Sequence, residues 1–213
     1  MTLFFIGITA LISIMAFNQP DLFSKLQLNP YQVYHRRQWY RLITHGFVHV
    51  DWMHLIINMY VLYMFGQNVE YLFSKLEELG YLKFYQIWYT GFYLTAIIMA
   101  SLLSVAKHKD DHWYNSVGAS GAVSAVLFLF IFFDPYNTLR LFAILPIPAI
   151  VFGVAYLIYS QYMSHRGNDN TNHDAHFVGA VFGFLFPLII DVSLIHDFIN
   201  AFLTFDFFRG MNQ

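Results

Sequence analysis

A serine set among small residues, Gly118-Ala119-Ser120-Gly121-Ala122, and a histidine followed by two glycines, His176-x-x-Gly179-x-x-x-Gly183, are the features of this chain best suited to chemistry. Ser120 stands where an apolar run begins. A hydroxyl in the first turn of a helix lies beside backbone N–H groups that have no intrahelical partner, and such donors can hold a developing oxyanion. An imidazole within hydrogen-bond reach would take the hydroxyl proton and make the serine a nucleophile. The spacing supplies a way to bring one there. His176, Gly179 and Gly183 share a helical face, and a G-x-x-x-G face lets a partner backbone come close. The small stripe Gly118, Gly121, Ala122 and Ala125 is a fitting partner, and packing the two brings His176 to Ser120. The bland alternatives are a helix cap or small-residue packing for Ser120, and an interhelical hydrogen bond of structural value for His176.

A third cluster is Thr44-His45-Gly46-Phe47-Val48-His49-Val50-Asp51-Trp52-Met53-His54-Leu55-Ile56-Ile57-Asn58. His54 and Asn58 are i,i+4 on one helical face. An imidazole N–H and an amide N–H are the donors that stabilise the negative oxygen of a tetrahedral intermediate. The rival reading is a metal site, with His45, His49, His54, His173 and His176 as ligands. Against it, the H-E-x-x-H pattern of metalloproteases is absent and no carboxylate stands beside these histidines to serve a metal-activated water. The sequence is therefore read as requiring neither metal nor cofactor.

These residues need a scaffold, and composition says which kind. Of 213 residues 58% are hydrophobic and only 11% charged, with 24 Phe and 15 Tyr. Soluble domains carry about 25% charged residues, so the deficit points to lipid. A formal charge of -2, with 11 scattered Lys and Arg, leaves no basic stripe for nucleic acid. The absence of cysteine excludes disulfides, thiolate catalysis and Cys-based metal sites. At roughly 20 residues per crossing the length suits about six spans. The apolar runs place them near residues 2–17, 50–65, 81–106, 117–133, 146–163 and 173–190, in one membrane domain. Gly66 is read as the end of the second span, with Glu70, Lys75, Glu77 and Glu78 in a water-facing loop. Pro146 and Pro148 open the fifth span, and residues 166–172 form the loop before the sixth. Residues 21–44 interleave Tyr31, Tyr34, Trp39 and Tyr40 with Lys25, Arg36, Arg37 and Arg41, which reads as a structured interfacial loop. Residues 191–213, apolar but interrupted by Asp197, Asn200 and Asp206, read as an interfacial tail.

Four segments, in order, resemble the rhomboids, a family of six-span intramembrane serine proteases. They are Trp39-Tyr40-Arg41, then His49 with His54 and Asn58, then Gly118-x-Ser120-Gly121, then Ala175-His176-x-x-Gly179-x-x-x-Gly183. The resemblance covers about Trp39 to Asp191. It implies an all-α, six-helix integral membrane bundle in which Ser120 is nucleophile and His176 general base. His54, Asn58 and the Ser120 backbone N–H would form the oxyanion hole. His49, Gly118, Gly121, Gly179 and Gly183 would support the site, and Arg41, Glu70 and His45 would be structural. The family works with a dyad, which fits the lack of an acidic partner for His176 in the sixth span, since Asp174 points off its face. One departure is Ser124, where many relatives carry an aromatic that stacks on the catalytic histidine; it leaves open what orients His176.

The resemblance further implies substrates that are transmembrane proteins, cleaved within or beside the bilayer, and a multi-pass protein of a bacterial inner membrane. It puts the first loop on the external side. Counting charges gives the opposite orientation, seven Lys and Arg on the first-loop side against four. Two rival functions stay in view: a non-catalytic rhomboid-like protein that binds membrane clients, and a polytopic transporter lined with histidines.

Overall fold

The computed structural model describes residues 1–141, 145–166 and 172–204. Residues 167–171 of the loop expected at 166–172, and the tail beyond 204, with Asp206 and Arg209, lie outside the described residues.

The chain is nearly all helical. Helix α1 (Thr2–Phe17) is mostly apolar, with Thr2, Thr9 and Ser13 buried, and ends before Pro20. The following loop folds into three short helices, α2 (Pro20–Leu26), α3 (Pro30–Arg36) and α4 (Arg41–Thr44), and a 3-10 turn, His45–Phe47. Two start signals are plain: proline at the first position of α2 and of α3, and Asn29 accepting the Gln32 N–H. Arg41 ties these pieces together. Its guanidinium donates to the carbonyls of Ser24 (2.8 Å) and Gln27 (2.7 Å) at the end of α2, and its Nε donates to Gln38. Trp39, Tyr40 and Tyr34 remain exposed on this loop.

Helix α5 (Trp52–Glu78) starts where Asp51 accepts the His54 N–H at 2.7 Å. It runs 27 residues, which corrects the reading of residues 66–80 as a loop. Gly66 does not end it. A Cβ there would meet Thr2 Cγ2 and Tyr89, so the glycine is a contact point for α1 and the next helix. Glu70, instead of facing water, accepts the Thr2 N–H at 2.9 Å. Helix α6 (Tyr85–His108) follows and, among the described residues, is the one helix long and apolar enough to cross a bilayer by length and composition.

Helix α7 (Ser120–Phe133) is buried on every side from Gly121 to Phe132, as an all-round apolar helix must be. It packs against α5, α6 and α9 and forms the centre of the core. Asp134-Pro135 ends it. A two-stranded sheet then intervenes, β1 (Thr138–Leu141) antiparallel to β2 (Leu145–Pro148). Pro146 and Pro148 therefore lie in an edge strand rather than opening a helix, which is possible because prolines two apart leave their missing N–H groups on one edge. Helix α8 (Ala149–Arg166) begins after them. The last long element, α9 (His173–Leu185), is capped by Asn172, which accepts the Ala175 N–H at 3.1 Å. Pro187 separates it from α10 (Pro187–Ile190). Helix α11 (Leu194–Leu203) docks Phe198 on Phe132 of α7 and Phe184 of α9.

Candidate active site

Ser120 stands at the first position of α7 because the chain before it is held from outside. Leu28 and Ser116 form an antiparallel bridge with N–H to carbonyl distances of 2.9 and 3.0 Å, and the Gly118 N–H donates to the His45 carbonyl at 2.9 Å. Asn29 adds bonds to the carbonyls of His112 and Tyr114. Gly118 itself has φ +114°, a region that favours glycine. A Cβ on it would also lie 2.6 Å from His54 Cε1 and 2.9 Å from His54 Nε2. Backbone reversal and the seat of the His54 ring thus require the same residue.

The next amide is held by His49. The Ala119 N–H donates to His49 Nε2 at 3.3 Å, so Nδ1 carries the ring proton and donates to Ser13 Oγ (3.0 Å), whose own proton goes to the Phe47 carbonyl (2.9 Å). Every polar atom in this relay from α1 to α7 has one assigned role. Burial, then the His54 ring beside it, holds His49 well below an ordinary histidine, at about 3, and burial holds His45 at about 4. Both are neutral in the fold. Because the unfolded chain takes up their protons near pH 6.5 and the folded chain does not, the stability they contribute is complete above that pH and declines as pH falls toward 4. The thermal midpoint of the detergent-solubilised protein should be flat from pH 8 to 7 and drop between pH 6.5 and 5. A midpoint unchanged down to pH 5 would contradict the buried neutral pair.

His176 reaches Ser120 through the glycine face. A Cβ on Gly179 would fall directly on the Gly121 carbonyl oxygen, and one on Gly183 on the Ala125 carbonyl oxygen. Gly121 in turn faces Ala100 of α6 and the Ala175 carbonyl. The α7 and α9 backbones are therefore in contact, and His176 Nε2 lies 2.7 Å from Ser120 Oγ. Asp174 takes no part. It binds Lys107 Nζ at 2.6 Å and accepts from Ser164, joining α6, α8 and α9 away from the histidine.

Asn58 and His54 line the same cavity as Ser120, His176 and Gly118. One Asn58 amide N–H is spent on the His54 carbonyl at 2.9 Å, and an amide nitrogen carries a second. By helix geometry the unsatisfied donors of α7 begin at Ser120, since the Ala119 N–H belongs to His49.

The metal reading meets an obstacle in this geometry. His49 has no lone pair left to give, and among the described residues no group of three His, Cys, Asp or Glu is placed to hold an ion.

Tyr156 of α8 was not marked by the sequence. Its ring lies along that of His176, with centroids 6.2 Å apart and planes at 24°, and its hydroxyl is 2.7 Å from Ser124 Oγ. No periodicity or motif on α8 distinguishes it from neighbouring aromatics.

A family model described as Rhomboid domain matches residues 36–191. The chain is similar to RHOMBOID-like protein 12, mitochondrial, of Arabidopsis thaliana, with 32% identity over 146 residues, which are 65% of this chain and 43% of that protein. It is also similar to Rhomboid-like protein 11, chloroplastic, of the same plant, with 38% identity over 85 residues, 40% of this chain and 26% of that protein. The chain thus spans less than half the length of either relative. Both relatives are named for organelles, so the expectation of a bacterial inner membrane finds no support in them.

Proposed function

The chain belongs to the rhomboid family of membrane proteins, and from that premise we propose that it is an intramembrane serine endopeptidase working through Ser120 and His176. The observation that carries the reading is the 2.7 Å hydrogen bond between Ser120 Oγ and His176 Nε2, set at the N-terminus of a buried helix. In this reading α1, α5, α6, α7, α8 and α9 are the six membrane spans. Ser120 Oγ attacks the scissile carbonyl carbon while its proton passes to His176 Nε2. The oxyanion is met by the Ser120 N–H, the second Asn58 amide N–H and the His54 imidazole. The intermediate collapses, the C–N bond breaks, and His176 returns the proton to the leaving amine. Water, deprotonated by the same histidine, then hydrolyses the acyl-serine.

The substrates are transmembrane or juxtamembrane segments of other membrane proteins. A scissile peptide must leave its helix to meet Ser120, so segments with Gly, Ser or other weak helix formers near the site are favoured.

The test is labelling of the purified protein with a serine-directed fluorophosphonate, beside Ser120→Ala and His176→Ala. Labelling confined to the wild type supports the proposal. A folded wild type that does not label moves the assignment to binding of membrane clients. The oxyanion donors give a graded expectation. His54→Ala and Asn58→Ala should each lower the cleavage rate by about 10- to 10³-fold, because the remaining donors still hold the oxygen. Loss as complete as in Ser120→Ala would mean that these residues do more than donate.

A further inference from the structure

We propose that Tyr156 is a positioning residue of His176, stacking along the imidazole and tying that stack to the nucleophile's own backbone. The inference rests on the dyad reading above and adds to it the element that orients the base.

The geometry has two parts. First, the Tyr156 ring lies along the His176 ring at 6.2 Å and 24°, an offset stack. The tyrosine is fixed from behind by Phe152, also stacked at 25°, and by Phe128 of α7. Second, its hydroxyl is tethered. Ser124 Oγ has one proton and donates it to the Ser120 carbonyl at 2.9 Å, so the Tyr156 O–H is the donor in the 2.7 Å contact with Ser124 Oγ. The order is Tyr156 O–H to Ser124 Oγ, then Ser124 O–H to the Ser120 carbonyl.

Tyr156 therefore lies along His176, with ring centroids 6.2 Å apart, and reaches Ser120 through one intermediary. Asp174, the acidic residue beside His176 in sequence, is engaged with Lys107 and Ser164. A small residue at 124 makes room for the tyrosine and supplies the oxygen that anchors it, so Ser124 and Tyr156 act as a pair contributed by different helices.

Three variants separate this role from simple packing. Tyr156→Phe keeps the ring and loses the tether, Tyr156→Leu keeps much of the bulk and loses the aromatic face, and Tyr156→Ala loses both. Each would be purified in detergent and compared with the wild type for kcat and KM on a single-span substrate and for the rate of fluorophosphonate labelling. Tyr156→Leu should lower kcat and the labelling rate by about tenfold, equivalent to about 1.4 kcal/mol of barrier, with KM within about twofold. Tyr156→Phe should recover most of that loss, and Tyr156→Ala should fall at or below Tyr156→Leu. Should the alanine variant fail to fold, the contrast between Phe and Leu still decides. Equal rates for Phe and Leu, or a change confined to KM, would overturn the proposal. A wild type that neither labels nor cleaves would instead overturn the dyad reading on which it rests.

Discussion

Ser120→Ala and His176→Ala are each expected to lower peptide cleavage by at least about 10⁴-fold, with thermal midpoints within a few degrees of the wild type. The reason is the mutual dependence of the two groups. A neutral hydroxyl is a poor nucleophile without a base at hydrogen-bond distance, and an imidazole alone at this site has no proton to take. Their losses should accordingly not add: the double variant should resemble either single one. Stability should change little, because the 2.7 Å contact lies at the edge of an open cavity while the α7–α9 joint below it is made by backbone and glycine. Cleavage of a single-span substrate in proteoliposomes measures the first effect and a melting curve in detergent the second. Addition of a chelator should leave the wild-type rate unchanged. Cleavage abolished by chelator and restored by zinc would replace the dyad with a metal.

Gly179→Ala is expected to be the most damaging substitution of a residue that carries no chemistry. The added methyl falls on the Gly121 carbonyl oxygen, a backbone atom that no rotamer change can move aside. Overpacking of this kind costs about 1–3 kcal/mol, and here it also separates the helices that carry Ser120 and His176. A displacement near 1 Å at a reacting centre costs about 10²-fold. Labelling rate and melting midpoint should therefore fall together, and Gly183→Ala, which meets the Ala125 carbonyl in the same way, should behave alike. Gly91→Ala is the control, since nothing lies within 4 Å of the new methyl; it should be close to silent. An active, stable Gly179→Ala would mean that the helix joint yields more than its geometry allows.

The juxtaposition of the two small-residue faces is legible in the sequence. The small stripe of α7 and the glycine face of α9 pointed at each other by residue type alone, and the structure places their backbones in contact with Ser120 and His176 at hydrogen-bond distance. Gly66 shows the limit of the same reasoning. Within one segment a helix-ending glycine and a glycine that admits a neighbouring helix look identical, and the choice depends on Thr2 and Tyr89, far away in the chain. Glu70 is misplaced with it, since its carboxylate accepts from Met1 and Thr2 at the start of α1. The strand pair β1 and β2 is not legible because prolines that can open a helix can equally sit in an edge strand.

By itself the sequence determined the apolar, cysteine-free, helical character of this protein, the small-residue faces, and the residue types able to act as nucleophile, base and oxyanion donors. Those are properties of composition and of a 3.6-residue period, which neighbouring residues carry among themselves. Tertiary structure alone decided that His49 spends both ring nitrogens on Ser13 and Ala119, that Asp174 turns to Lys107 and Ser164, and that Tyr156 lies along His176. Each of those facts is a pairing between elements separated in the chain, set by how helices rotate and settle against one another, and no local pattern records that rotation.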